Sequence, residues 1–181
     1  INKPVMAIIG GSKISTKINL LSNLVKKVDY LVIGGAMANT FLLERGYDIG
    51  KSLVEKDKLD IVKNVLQQAK ENNCTIILPK EVVVSKSLND DEEAENIDIS
   101  KMRNDLAIFD VGERTIEKIC NTASMCKTIF WNGPLGVYET PPFDNSTNII
   151  GRTIAILTKG KLVTSVVGGG DTVAALNNAE L

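Results

Sequence analysis

A chain of 181 residues, 44% apolar and 24% charged, has the length and composition of one ordinary globular domain with a sizeable core. Its 21 basic and 22 acidic residues nearly cancel and no basic face is clustered, so nucleic acid is a poor partner, and no apolar run approaches membrane-spanning length. Histidine is absent, which excludes Ser-His triads, imidazole bases and histidine-ligated metals; any chemistry must rest on lysine, carboxylates, backbone amides and a borrowed metal ion.

The first apolar run, Val5 to Ile9, leads into Ile14, Ile18, Leu21 and Val25, whose spacing marks one face of a helix. Tyr30 to Ile33 reads as a second strand, followed by a short helix near Met37 to Glu44. A longer helix over about Val54 to Asn72 precedes a strand at Thr75 to Leu78, and Val82 to Val84 extends that edge. Asn89 to Asn96 reads as a solvated acidic loop. Leu106 to Asp110, a helix from about Glu113 to Thr122, a strand at Thr128 to Trp131, a helix over about Thr147 to Thr158 and a strand at Leu162 to Val167 complete the pattern. Strand and helix alternate, with no repeat and no flexible linker. The order predicts an α/β fold: a Rossmann-like, doubly wound, mostly parallel six-stranded sheet with helices on both faces, and ligands beyond the carboxyl ends of the strands. Cys74, Cys120 and Cys126 are odd in number and lack metal-pair spacing, so they are expected as buried reduced thiols in a cytoplasmic protein. The opening Ile1-Asn2-Lys3-Pro4 carries no signal-peptide pattern.

The informative residues follow the strands. Gly168-Gly169-Gly170-Asp171-Thr172 runs from the last strand into a helix start at Val173 to Leu176. Glycines let backbone N–H groups approach an anion, the helix N-terminus adds its positive end, and Asp171 stands where a carboxylate could hold the magnesium of a nucleotide polyphosphate. A plain glycine turn with Asp171 as N-cap is the alternative. After the first strand, Gly10-Gly11-Ser12-Lys13-Ile14-Ser15-Thr16-Lys17 places two lysines four apart; a helix beginning near Lys13 would project both from one face. Gly34-Gly35-Ala36-Met37 follows the second strand, and Asn132-Gly133-Pro134-Leu135-Gly136-Val137-Tyr138-Glu139 follows the strand ending at Trp131. Singly, each is as readily a turn or a solvated face. Together, four glycine-rich loops at strand ends are hard to dismiss as coincidence. Gly46-Tyr47-Asp48-Ile49-Gly50-Lys51-Ser52 is a decoy: it has three residues between its glycines where the Walker motif has four, and it follows a helix. The dinucleotide fingerprint is missing after the first strand, which weighs against a nicotinamide enzyme.

In order and spacing these motifs, with Ala38-Asn39-Thr40-Phe41 and Ser52-Leu53, closely resemble the C-terminal, nucleotide-binding domain of the phosphoglycerate kinase family over nearly the whole chain. The resemblance implies that residues 1–181 form a single nucleotide-binding domain, half of a two-domain hinge kinase. It implies reversible phosphoryl transfer between 1,3-bisphosphoglycerate and ADP, giving 3-phosphoglycerate and ATP in glycolysis, with Mg²⁺ accompanying ADP or ATP. By similarity Lys13 would touch the transferring phosphoryl group, with Gly170 beside it in a catalytic role. Lys17 would hold nucleotide phosphates, Asn132 would lie near them, Asp171 would bind Mg²⁺ and Thr172 would stand next to it. Gly34, Gly35, Ala36, Leu53, Pro134 and Val137 would line the adenine and ribose site, with Glu139 on the ribose and Gly11, Gly136, Gly168 and Gly169 completing the nucleotide contacts. A cytoplasmic monomer is implied. Ala36 stands where a third glycine is common and Glu113 where proline is common. The family's N-terminal domain, which holds the phosphoglycerate, and its closing C-terminal segment have no counterpart in these residues, so the expectation is nucleotide binding with little or no turnover. A stand-alone nucleotide-binding module is the alternative reading.

Overall fold

The computed structural model describes residues 1–89 and 93–178. Its strands are β1 (Val5–Ile9), β2 (Tyr30–Ile33), β3 (Thr75–Ile77), β4 (Glu81–Ser85), β5 (Glu95–Asp98), β6 (Ala107–Val111), β7 (Thr128–Asn132) and β8 (Thr164–Gly168). Its helices are α1 (Ile18–Leu24), α2 (Met37–Glu44), α3 (Leu59–Glu71), α4 (Glu113–Met125), α5 (Asn145–Lys159) and α6 (Gly170–Asn178).

All of β1 is buried, because it is the middle strand of a sheet covered on both sides. Val5, Ala7 and Ile9 enter an apolar layer with Leu21, Phe41, Val62 and Val65 of α1, α2 and α3. Met6 and Ile8 enter the opposite layer with Ile116 and Ile119 of α4 and Ile150 and Ile154 of α5. A strand buried on both faces shows a continuous apolar run rather than alternation, which is why this segment is plain in the sequence.

The sheet has five parallel strands in the order β3-β2-β1-β7-β8, not six. Val82 to Val84 and Leu106 to Asp110 do not extend it. They belong to β4 and β6, which form a separate antiparallel sheet in the order β5-β4-β6. The reason lies in the connection: only Leu78-Pro79-Lys80 separates β3 from β4, too short for the crossover that parallel neighbours need, and Pro79 has no N–H to give a ladder. This second sheet packs on its own cluster of Leu42, Ile49, Val82, Val84, Ile99 and Leu106. Its outer strand β5 occupies the end of the segment expected to be an acidic loop; Asp90 to Glu92 lie outside the described residues.

Helix starts also differ from expectation. Lys13 is extended, Ile14–Thr16 forms one 3₁₀ turn, and α1 begins only at Ile18. Thr16 Oγ1 donates to the Lys13 carbonyl at 2.9 Å, a local bond that competes with helix continuation. The long helix begins at Leu59 rather than Val54, because the chain before it is tied elsewhere. Ile108 N–H donates to Ser52 Oγ at 2.8 Å, Asn39 Nδ2 to the Leu53 carbonyl at 3.0 Å and Glu55 N–H to Thr40 Oγ1 at 3.3 Å.

Cys74 and Cys126 are buried and Cys120 is half-buried, all as free thiols. Burial, with the Asp29 carboxylate nearby, pushes Cys74 and Cys126 up to about 11, so they remain protonated. Among the described residues no helix is long and apolar enough to cross a membrane.

Candidate functional site

Because β1, β2, β7 and β8 run parallel, the loops that follow them meet at one edge. From β1 the chain winds outward to β2 and β3 on one side and to β7 and β8 on the other, so the topological switch lies between β1 and β7. There Gly10 N–H donates to the Asn132 carbonyl at 2.9 Å, Gly35 N–H to the Leu135 carbonyl at 2.9 Å and Met37 N–H to the Gly11 carbonyl at 3.0 Å.

The glycines of three of these loops serve each other before any ligand. Gly35 has φ +70° and a Cβ there would stand 2.4 Å from the Gly11 carbonyl oxygen; Gly133 has φ +98° and its Cβ would meet the Gly10 oxygen at 2.2 Å. Only glycine fits both the left-handed backbone and the contact. The fourth loop is different. Gly170 has no heavy atom within 4 Å of its Cβ position, and Gly168 meets only Asn132 Nδ2 at 3.3 Å. Gly169 is the more enclosed, with Asn132 Oδ1 at 3.4 Å and Thr172 Oγ1 at 3.5 Å from its Cβ position, so the loop is open chiefly at Gly168 and Gly170, at the N-terminus of α6, where the helix dipole favours an anion. Helix α6 begins at Gly170, so Asp171 lies within its first turn and is not its N-cap.

Lys17 sits at the switch point and reaches toward the open loop only through Asn132. Its Nζ donates to Asn132 Oδ1 at 2.7 Å and to the Asn132 carbonyl at 3.4 Å. Burial holds its pKa below the usual lysine value, and the Asp171 charge opposes that shift. Thr172 is fully buried, and its Oγ1 accepts the Gly133 N–H. Trp131 Nε1 donates to the Gly133 carbonyl at 2.8 Å, so the loop after β7 is held from both sides.

Beside this polar group opens a cleft of about 310 Å³ between the two sheets. Gly11, Gly35, Ala36, Leu53, Pro134, Gly136, Val137, Glu139 and Asp171 line it. Gly34 lies beneath, against Leu135. Lys17, Asn132, Gly168, Gly169 and Thr172 are not in its lining: Lys17 joins Asn132, Thr172 joins Gly133, Gly168 and Gly169 adjoin the Asn132 side chain, and Lys13 and Gly170 are exposed. The lysine pair does not share a helix face, since Lys13 precedes the 3₁₀ turn and Lys17 ends it.

Sequence reasoning missed the opposite wall: Pro79, Leu88, Ile108, Phe109, Asp110 and Val111 come from the antiparallel sheet and its flanks. Placing β6 in the main sheet hid them; the short Pro79 connection was the available signal. Leu53 is 75% exposed and Leu88 37%, so two large apolar side chains border a cleft of ligand size without burying themselves. A more open hollow of about 530 Å³ lies along β3 at Glu44, Arg45, Lys63, Lys70 and Cys74, away from the four strand-end glycine loops.

The topology, the open glycine loop and the apolar cleft together define a doubly wound α/β domain with a cleft beside its switch point. The sequence model described as phosphoglycerate kinase matches residues 1–181. The chain belongs to the phosphoglycerate kinase family. It is 49% identical over 179 residues to a phosphoglycerate kinase of Chelativorans sp. (strain BNC1), covering 99% of this chain and 45% of that protein. The solved phosphoglycerate kinase of Coxiella burnetii superposes with a TM-score of 0.92 at 42% identity, over 99% of this chain and 45% of that one. That of Pyrococcus horikoshii OT3 gives 0.79 at 27% identity, over 98% and 44%. The chain thus spans about 45% of the length of the relatives it matches.

Proposed function

We propose that this chain, as a single nucleotide-binding domain, is the ADP/ATP-binding half of a phosphoglycerate kinase, a cytoplasmic monomer acting in glycolysis. The carrying observation is the adjacency of an apolar cleft to an open backbone loop flanked by Lys17 and Asp171. A flat base fits between the Gly35-Ala36 and Ile108 to Val111 walls, a ribose reaches Glu139, and phosphates lie over Gly168 to Gly170 near Lys17 and Asn132. Asp171 suits magnesium: this ion is held by one or two carboxylates plus phosphate and water oxygens, and no cluster of three ligating side chains stands among the described residues. Bound with the nucleotide, magnesium would neutralise charge on the phosphate oxygens.

In the reaction, an oxygen of the ADP β-phosphate attacks the acyl-phosphate phosphorus; the new P–O bond makes ATP as the old one breaks and 3-phosphoglycerate leaves as a carboxylate. No proton transfer is required, which agrees with a chain lacking histidine. Phosphoryl transfer asks chiefly for in-line placement and positive charge on the equatorial oxygens. Lys13, exposed next to the cleft-lining Ser12, would meet that group, and the exposed Gly170 backbone would share that role.

The phosphoglycerate site is not assigned to this chain. Arg103 pairs with Glu95 and Asp105, Arg114 with Glu81, and Arg45 and Arg152 sit on separate helix ends and faces, so no cationic forks converge at the cleft. A coupled assay tests this. The chain alone should form no ATP from 1,3-bisphosphoglycerate, and activity should appear when the remaining half of a family member is supplied. Turnover by the purified chain that vanishes in Lys13→Ala would place both substrate sites here and overturn the half-enzyme reading.

A further inference from the structure

Asp110 is a buried charge to which the reading above gives no task. It lies in β6 at the cleft, 2% exposed, and among the described residues no lysine or arginine lines that cleft. A buried carboxylate without a cationic partner is costly, and asparagine would fill the same space at lower cost. What Asp110 meets is the N-terminus of α5. The residue preceding that helix, Asp144, makes no side-chain capping bond. Instead Asp110 Oδ2 accepts the Ser146 N–H at 3.0 Å, and Oδ1 accepts the Ser146 hydroxyl. A strand of the antiparallel sheet therefore caps a helix packed on the parallel one, and the positive end of α5 favours the anion.

The same carboxylate lies under the cleft wall. A Cβ on Gly136 would stand 2.2 Å from Asp110 Oδ1, so the Gly136 backbone rests on it. Around this contact, Val137 N–H donates to the Phe109 carbonyl at 2.9 Å, Leu135 N–H donates to Thr147 Oγ1 at 3.3 Å, and the rings of Phe109 and Phe143 lie 5.1 Å apart. We propose that Asp110 is a positioning residue for the nucleotide: by capping α5 from across the cleft and seating Gly136, its carboxylate holds the Pro134 to Val137 wall at the spacing the bound base requires. This rests on the nucleotide reading of the cleft.

The electrostatics supply a handle. Burial pushes Asp110 up to about 7, against the pull of the Ser146 bonds, and the Asp144 charge just before α5 pushes the same way as burial. Its partner on β4 is Val83, which does not titrate; Tyr138 and Glu139 of the loop and Asp171 of α6 line the same cleft. Mild acid thus neutralises Asp110 while ordinary carboxylates stay charged.

The test is calorimetric titration of the chain with Mg-ADP at about pH 8 and about pH 5.5, in the native chain, Asp110→Asn and Ser146→Ala, with melting followed in parallel. The titration of ADP itself is common to all, so the ratio between chains is read. At the higher pH, Asp110→Asn should bind about tenfold more weakly, because bonds to a charged acceptor exceed neutral ones. Its melting temperature should not fall, since a costly buried charge has gone. At the lower pH the ratio should narrow toward one. Ser146→Ala should weaken binding in the same direction. Equal binding by Asp110→Asn and the native chain at the higher pH, or a ratio that does not change with pH, overturns the proposal. If Asp110→Asn does not fold, adenosine, which has no group titrating in this range, replaces ADP with the native chain, and a flat affinity across the two pH values overturns it. No binding by the native chain at either pH removes the nucleotide reading itself, a different failure.

Discussion

Replacing Thr172 by valine isolates one bond at the switch point. The side chains have nearly the same shape, so no cavity forms; what disappears is the oxygen that accepts the Gly133 N–H. Both groups are buried, Thr172 fully so, and no water can take over. A buried donor left without an acceptor costs about 1–3 kcal/mol. At about 2–4 °C per kcal/mol for a domain of this size, a loss of 2 kcal/mol lowers the melting temperature by about 6 °C. Gly133 also carries the backbone beside the Lys17 ammonium and Asn132, so the loop that relaxes is the one bordering the phosphate-binding end. Thr172→Val should therefore weaken Mg-ADP binding as well as stability, whereas Thr172→Ser, which keeps the oxygen, should recover most of both. Scanning calorimetry and an isothermal titration on the three chains decide the matter. Unchanged melting in Thr172→Val would refute the reasoning, as would Thr172→Ser behaving like valine.

Gly35→Ala places a methyl group in a left-handed backbone and 2.4 Å from the Gly11 carbonyl oxygen, and should lower stability in urea unfolding by about 2 kcal/mol or more; a loss under half of that would mean the two loops are not in contact. The Asp110 shift has a definite sign. Its folded pKa, about 7, lies above its unfolded one, so the folded chain holds that proton more tightly; this contribution, at most about 4 kcal/mol, is full below about pH 4 and lost as pH rises toward 7. Unfolding free energies of the native chain relative to Asp110→Asn should accordingly fall across that window, and a rising difference would reverse the assignment. In the complete enzyme, Lys13→Ala should lower kcat about a hundredfold with ADP affinity retained, the pattern of a contact made in the transition state; steady-state kinetics showing only a raised KM for nucleotide would give Lys13 a binding role instead.

Much of the site was legible because its logic is local. Buried parallel strands are continuous apolar runs, and glycines that admit close backbone contacts must sit at their ends, so Val5 to Ile9 with Gly10-Gly11, and Tyr30 to Ile33 with Gly34-Gly35, announced themselves. What local pattern could not supply was partnership. Val82 to Val84 and Ala107 to Val111 are apolar runs too, and nothing within them says that they pair antiparallel in a second sheet; that follows from the three-residue connection around Pro79. With β6 misplaced, half the cleft wall and Asp110 stayed hidden. Thr172 shows the same limit on a smaller scale: its position in the glycine motif suggested a metal neighbour, while its hydroxyl is turned inward to bind the backbone of Gly133. The lysines, four apart in sequence, were parted by the local bond of Thr16 to the Lys13 carbonyl.

On the proposed function, the cleft and the open glycine loop together bind a magnesium nucleotide. Isothermal titration of the chain with ADP, with and without Mg²⁺, in the native form and in Asp171→Ala, tests it most directly. Saturable heat is expected at millimolar or lower Mg-ADP, with a matching rise in melting temperature and a magnesium requirement displaced upward in Asp171→Ala. No heat and no thermal stabilisation, or NADH binding at least as well as Mg-ADP, would contradict it.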